Sequence, residues 1–502
     1  LVLRVQRLAV LSPRLRLLAM GSVESRCGCC EGIRTMFVIP QSQAQSSNFC
    51  DAVSVCVHDT TAALKLGSTI EVDLQAAGLS KNQQKKLLAR QGRQSRKNHK
   101  KIHKQTNATV AAFSVLDDAL PTLVEDSEST FDAQGLLRHR LCKTFGAQKR
   151  YHALPLSFGP EPEKGLPVLG SVLLRPPKYA AKFLPQEYSL LHKLWVILGG
   201  ACAAGTGVLD IGAGNANCAV LAVALLGLTV ICVERESPRE ELRAEARLPE
   251  ALRRRIVRVE ADVEDFGPEE LQRVASTHGL HRMVLVAKHP CGIGVDRSIE
   301  CAARLHASRA ESAGVSIEII GVVMATCCTN KLSLDDARIS RVPEFCKLYA
   351  HDVPGFTCLS HDNHGFERAV EVMSRCSAWR TASGSEGNAI QASQLEWAEL
   401  FEDALQSLRL RRLAQIFGAS TEIRFAPREC TLQDRCLVAA PCSIPEGIRA
   451  HGEMSTDPVF LSHLRKAASQ LLADSGPIDC RPLGLKSAKY DFDYTDMSAP
   501  TD

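Results

Sequence analysis

Val208-Leu209-Asp210-Ile211-Gly212-Ala213-Gly214 is an apolar run that ends in an acid and two glycines and opens directly into a helical pattern at Asn215. That order is the strand, turn and helix with which a doubly wound α/β sheet holds a nucleotide-like ligand at its carboxyl edge. The glycines let the backbone approach a ligand with no Cβ in the way, and Asp210 can hold a polar or cationic group. The next apolar run, Val230-Ile231-Cys232-Val233, ends at Glu234, about twenty residues beyond the glycines, where a carboxylate accepts from both hydroxyls of a ribose. A third run ends Glu260-Ala261-Asp262, which places Asp262 to accept from an adenine amine. Each acid alone also reads as a helix cap; three at successive strand ends point to an adenosyl cofactor.

The same alternation continues downstream. Strands are expected at 207–212, 228–234, 255–261, 282–288 and 317–326, with helical segments between most of them. A helix over Leu395 to Phe417 stops at Gly418, and 420–427 with 434–440 read as an antiparallel pair. Five parallel strands closed by a hairpin is the Rossmann-like, class I arrangement of S-adenosylmethionine-dependent methyltransferases, an α/β fold. Residues 329–393 interrupt the pattern, and an insertion after the fifth strand belongs on the rim of the site, where a substrate lid would sit.

The fourth strand delivers Lys288-His289-Pro290-Cys291-Gly292-Ile293-Gly294-Val295-Asp296, and the fifth delivers Thr326-Cys327-Cys328-Thr329-Asn330. In a switch-point sheet these ends adjoin the cofactor and face the substrate. Cys291, Cys327, Cys328 and His289 are candidates for a Cys/His metal site, zinc among the ions considered, because neighbouring strands bring their ends together. The simpler reading is buried free cysteine.

The Lys-His-x-Cys-Gly-x-x-x-Asp stretch and the Cys-Cys pair resemble those of the eukaryotic tRNA 2′-O-methyltransferases that modify the fourth nucleotide of the acceptor stem. The resemblance spans about residues 184 to 440 and includes Glu260 to Phe266 and Thr431-Leu-Gln-Asp-Arg-Cys-Leu-Val. Pro290 and Thr329-Asn330 stand where Leu and His-His are more usual, and the family's amino-terminal zinc-finger pattern is not intact. The resemblance implies methyl transfer to a ribose hydroxyl of tRNA. Such a hydroxyl must be aligned with the sulfonium methyl and relieved of its proton. Lys288 can lower its pKa, and His289 or Asp296 can accept the proton. Alternatively Lys288 pairs with a carboxylate at the strand end, His289 caps the loop and Asp296 begins the next helix.

Composition limits the rest. With 502 residues, 45% of them hydrophobic, the chain exceeds one ordinary domain and can bury a large core. The net charge of +4 excludes a polycation, so a nucleic-acid footprint has to be local. One exists: Lys81, Lys85, Lys86, Arg90, Arg93, Arg96, Lys97, Lys100, Lys101 and Lys104 occur with no acid between Asp73 and Asp117. Ser80 and Gln83 form a capping box, so a basic helix is expected that grips phosphates rather than reading bases, as it lacks interleaved aromatics.

Twenty cysteines scattered through apolar segments indicate a reducing compartment rather than a disulfide scaffold. Cys27, Cys29, Cys50, Cys56 and His58 are soft ligands in a spacing that matches no standard zinc site. Residues 1–19 hold Arg4, Arg7, Arg14 and Arg16 without an acid, which suits a transit peptide or translated leader sequence, and Met20-Gly21 to Ser25 fits a myristoylation pattern. Nucleus or cytoplasm is the expected location, with organellar import left open. The apolar run Ala216 to Val233 is divided by Gly227 into a helix and a strand, so no transmembrane segment is expected.

The expected organisation is a poorly defined, disordered region over 1–75, a basic RNA-binding helix over 76–110, a proline-rich linker over 111–183, a methyltransferase domain over 184–442 and a tail over 443–502. Two other readings stay open: a methyltransferase acting on protein or a small molecule, and an RNA-binding protein whose methyltransferase fold no longer works. In the first of these, deleting 81–104 should leave turnover intact.

Overall fold

Five apolar runs become parallel strands: β1 (Thr206–Ile211), β2 (Thr229–Glu234), β3 (Ile256–Glu260), β4 (Arg282–Lys288) and β5 (Glu318–Ala325). Every residue of β1 is buried, as expected of a parallel strand covered on both faces. β6 (Gly418–Arg424) and β7 (Arg435–Pro441) form the expected hairpin, and β7 runs antiparallel to β5. The sheet order is β3-β2-β1-β4-β5-β7-β6. The order reverses between β1 and β4, which creates the crevice where such sheets bind ligands. This is the class I methyltransferase topology. The chain's structure, a computed structural model, describes residues 110–122, 131–146, 162–175, 177–200, 203–288, 290–311, 317–333, 338–353, 364–382, 392–424, 431, 433–445, 448 and 457–479. The basic segment 81–104, the amino-terminal cysteines and His289 lie outside them.

The principal helices are α1 (110–119), α2 (Ala133–Phe145), α3 (Pro162–Val172), α4 (Pro177–Ile197), α5 (Asn217–Leu226), α6 (Pro268–Thr277), α7 (Gly294–Glu311), α8 (Val342–Tyr349), α9 (His364–Ala382), α10 (Ala392–Phe417) and α11 (Pro458–Ser475). Successive strand side chains alternate between faces. Val208, Val230 and Val284 join one core with Leu191 and Leu194 of α4, Val220 of α5 and Leu464 of α11. Leu209, Ile231 and Leu285 join another with Leu271 of α6, Ile299 of α7 and Leu413 of α10. A third core is built mainly from α1, α2, α8, α9 and α10 around Leu116, Leu141, Phe345, Phe366 and Trp397.

Three expectations change. The linker expected over 111–183 contains α1, α2 and α3, and α1 and α2 pack with the helices of the 329–393 insertion. The boundary expected between residues 183 and 184 falls inside a helix, α4, which starts at Pro177 and runs on through Pro185. The place of Pro185 at a possible helix start and the apolar spacing of Leu190, Leu191, Leu194, Ile197 and Leu198 predict a helix only from 185 onward. An internal proline loses a backbone hydrogen bond and crowds the preceding turn, a cost of about 3 kcal/mol. Here Leu184, Tyr188, Leu190, Leu191 and Leu194 are all buried, and their burial offsets it. The tail expected over 443–502 contains α11, whose Asp457 cap accepts from the amides of Val459 and Phe460. After it Ile478–Asp479 pairs in parallel with Leu173–Leu174, so this segment belongs to the core.

Ion pairs brace the hairpin internally and fasten it to α9 and α10. Arg435 meets Glu422 at 2.8 Å and Glu399 at 2.6 Å, Arg424 meets Asp434 at 2.6 Å, and Arg380 reaches Asp434 as well. Among the described residues no helix is long and apolar enough to cross a membrane; Ala216 to Val233 is α5 followed by β2.

Candidate active site

Parallel register brings the strand ends together. Asp210 lies opposite Cys232 of β2 and Val286 of β4, Glu234 opposite Glu260, and Lys288 opposite Ala325. Beyond Asp210 the chain turns through Gly212 at φ 69° and Gly214 at φ 52°, conformations that cost a side chain. Among the described residues no atom lies within 4 Å of where a Cβ would sit on either glycine, so the loop is open on that side. The Gly212 amide donates to the Val233 carbonyl at 2.8 Å. Helix α5 then begins without a side-chain cap, its first amides unclaimed by a capping group.

Asp210 is 3% exposed, and no hydrogen bond holds its carboxylate among the described residues. Burial therefore pushes its pKa up to about 7, helped by Glu234, while Lys288 and Arg258 pull it down. A buried acid with no donor, next to an open glycine loop, is a site for a ligand's donor or cation. Glu234 accepts from the Gly214 amide at 2.9 Å and from the Arg235 amide at 3.1 Å. Each carboxylate oxygen retains a second lone pair for a diol. Asp262 uses Oδ1 to accept from the Glu264 amide at 3.1 Å, which leaves Oδ2 for a ligand.

Arg258 of β3 was not an expected participant. It donates to the Gly214 carbonyl at 3.0 Å while paired with Glu245, and so props the loop from below. The signal is a single arginine in a strand otherwise of apolar residues before Glu260.

Lys288 does pair with a carboxylate, though not one at a strand end. Its Nζ lies 3.1 Å from Glu187 of α4 and 4.9 Å from the centre of the Phe183 ring. Glu187 also takes Arg175 at 2.7 Å, and is 1% exposed. Its burial works to raise its pKa, but the charges of Lys288 and Arg175 win and hold it below the usual range. One of the three donors of the Lys288 ammonium is used by this pair.

Asp296 lies in the first turn of α7, fully buried, with both oxygens taken. Arg409 of α10 binds it at 2.8 and 2.7 Å and the Tyr349 hydroxyl donates at 2.9 Å. That is the environment of an anchor between helices rather than of a proton acceptor. Asp296→Asn strands Arg409 without a counter-charge and is expected to cost about 3–5 kcal/mol in a urea unfolding series.

The three cysteines do converge. The Sγ atoms of Cys291, Cys327 and Cys328 all lie within 4.8 Å of one another, with Cys291 and Cys327 at 2.9 Å. Gln433 donates to the Cys328 sulfur at 3.2 Å, so the Thr431 to Val438 segment reaches back to the cysteine pair. Hydrogen bonds from Cys291 and Cys327 hold the Cys328 thiol well below its ordinary range, against the opposing effect of burial. Cys327 and Cys328 also line a small pocket with Ser377, Glu402 and Gln433.

Residues 202–398 match the family model described as Methyltransferase TRM13. The match begins just before β1, takes in the glycine loop, Glu234, Lys288 and the three cysteines, and ends in the first part of α10. By that match and by its strand order the segment is a methyltransferase domain. No curated protein matches the chain in sequence. Among solved structures it is similar to geranyl diphosphate C-methyltransferase from Streptomyces coelicolor, determined with S-adenosyl-L-homocysteine, at 12% identity over 61% of this chain and 97% of that one, with a TM-score of 0.24. A putative methyltransferase of antibiotic biosynthesis from Anabaena variabilis gives 11% identity over 50% and 96%, with a TM-score of 0.18. The cyclopropane synthase MmaA2 from Mycobacterium tuberculosis gives 15% identity over 49% and 81%, with a TM-score of 0.17.

Proposed function

We propose that the chain transfers a methyl group from S-adenosylmethionine to a ribose 2′-hydroxyl in the acceptor stem of tRNA. The observation that carries the reading is the meeting of two unlike features on one sheet edge. Asp210, buried and without a donor among the described residues, and the open glycine loop suit a cationic nucleoside ligand, and Lys288, whose charge reaches Asp210, suits an acceptor hydroxyl. The tRNA portion is supported by the Lys288 to Asp296 and Cys327-Cys328 motifs, which lie within the family-model match over 202–398, and by the basic segment 81–104.

The donor set fits the cofactor. Asp210 would hold its ammonium end, Glu234 its ribose diol and Asp262 its adenine amine. When bound, S-adenosylmethionine supplies a methyl group on a sulfonium centre. The remaining work falls to the protein. Glu187, fixed by Arg175, positions the Lys288 ammonium. That ammonium stabilises negative charge on the acceptor oxygen and so lowers the cost of removing its proton. His289, adjacent to Lys288 in sequence, is the proposed acceptor of that proton, with Asp296 committed to Arg409.

The test is to incubate full-length protein with methyl-labelled cofactor and unmodified tRNA, then digest the RNA. Label in dinucleotides resistant to alkali, mapping to the acceptor stem, is the expected result, since a 2′-O-methyl group blocks cleavage at that ribose. Label in alkali-sensitive nucleotides would replace ribose by base. No label above an Asp210→Ala control, with tRNA still bound, would leave only an RNA-binding role.

A further inference from the structure

We infer that Cys291, Cys327 and Cys328 form a zinc(II) site that ties the carboxyl end of β4 to that of β5. Three sulfurs from two loops within 4.8 Å match a thiolate-rich site of the kind borderline-soft cations take. The inference stands whatever the methyl acceptor proves to be.

The backbone is built around this convergence. Gly292, at φ 59°, sits so close to the next loop that a Cβ there would lie 3.1 Å from the Lys331 carbonyl carbon and oxygen. The two loops are therefore packed main chain to main chain. Cys328 adopts φ 37°, a conformation rare for a residue with a side chain, and its carbonyl accepts from the Lys331 amide at 2.8 Å. The Cys291 carbonyl accepts from Gly294 at 3.1 Å. Both cysteine loops are thus pinned, with the Cys328 sulfur held beside the other two.

The surroundings suit a metal. Gln433 donates an N–H to the Cys328 sulfur, the outer contact that orients a thiolate ligand. Lys331 lies close enough to bear on Cys291 and Cys328, and offsets the single net negative charge of three thiolates around Zn²⁺. Cys291 and Cys328 are only partly buried, which gives an entry path. The Cys291 to Cys327 separation of 2.9 Å would open by somewhat less than 1 Å, since tetrahedral Zn–S bonds of about 2.3 Å separate sulfurs by roughly 3.8 Å. Binding releases to solvent the protons of the thiols not already ionised. The fourth position of a tetrahedral ion is left to water.

The test uses full-length protein purified without chelator. Zinc content should fall by about one equivalent per chain in Cys291→Ser/Cys327→Ser/Cys328→Ser relative to both wild type and the exposed-site control Cys442→Ser. The difference is the readout, because Cys27, Cys29, Cys50 and Cys56 can bind zinc of their own. Native alkylation read by peptide mass spectrometry needs no variant. Cys291 and Cys328 should resist alkylation in zinc-loaded protein and react at least about tenfold faster after chelation, with the circular dichroism unchanged. Equal zinc in the triple variant and wild type would overturn the proposal. So would equal alkylation before and after chelation, or recovery of Cys291 and Cys327 as a disulfide in freshly purified protein, which would make them a redox pair.

Discussion

Asp210→Asn is expected to stabilise the ligand-free protein and disable it together. The folded-state pKa is raised from 3.8 to about 7, mainly by burial. Below about pH 4 both folded and unfolded chains hold the proton and nothing is lost. Between there and pH 7 the unfolded chain ionises while the folded one does not, so stability falls as pH rises, and above pH 7 the full penalty applies. Three pKa units correspond to about 4 kcal/mol. An asparagine amide in the same place lacks partners and returns about 1–3 kcal/mol of that. Thermal unfolding should therefore show the variant more stable than wild type at pH 8, with the gain gone by pH 5. Its affinity for S-adenosylmethionine should drop about a hundredfold at pH 8, the value of a lost charge-assisted hydrogen bond. Wild-type affinity should itself rise with pH up to about 7, with proton release on binding seen by calorimetry in two buffers. A variant no more stable at pH 8 would show that the buried carboxylate is neutralised by a partner rather than kept for a ligand.

Lys288→Met is expected to lower kcat about 10²- to 10⁴-fold, the range for loss of a group that assists proton removal. Arg175 keeps Glu187 paired, so the fold should survive. Lys288 also pulls down the pKa of Asp210, so the rise of cofactor affinity with pH should move to higher pH in the variant. A lysine that only fills space would leave that profile where it was. Glu187→Gln serves as the companion: Lys288 remains but loses its holder, and the expected pattern is a fall in kcat with the cofactor profile far less displaced.

The sheet could be read from the sequence because its strands are buried on both faces. Such strands are continuous apolar runs, and their ends carry acids and glycines whose chemistry is local; β1 to β5 fall within one or two residues of expectation for that reason. Prolines hid α3 and the first two turns or so of α4, since a proline in a helix interior is a breaker unless burial around it compensates, and only the packed structure shows Leu184 to Leu194 doing so. The Asp457-Pro458 start and the spacing of Phe460, Leu464, Ala468 and Leu471 are a legible helix signal, but nothing local says that it covers α5.

The site divides the same way. Asp210, Glu234 and Asp262 lie just beyond readable strands. Glu187 cannot be found from sequence, because its partner Lys288 is 101 residues away and nothing local sets it apart from Gln186, Ser189, His192 and Lys193, polar residues of the same helix that are buried too. The pairing of Asp296 with Arg409 spans 113 residues and turns a residue with the right spacing for a base into an anchor. The sulfur convergence was readable in outline, from neighbouring strands ending in cysteine; the pinned loops that hold it were not.

The most direct measurement is methyl transfer to a synthetic acceptor stem in which one nucleotide, the one labelled in the intact RNA, carries 2′-deoxyribose. With the ribose hydroxyl as acceptor, this single missing oxygen abolishes transfer while binding is retained, and the base at that position matters little. Undiminished methylation of the deoxy-substituted stem would place the methyl elsewhere and contradict ribose methylation.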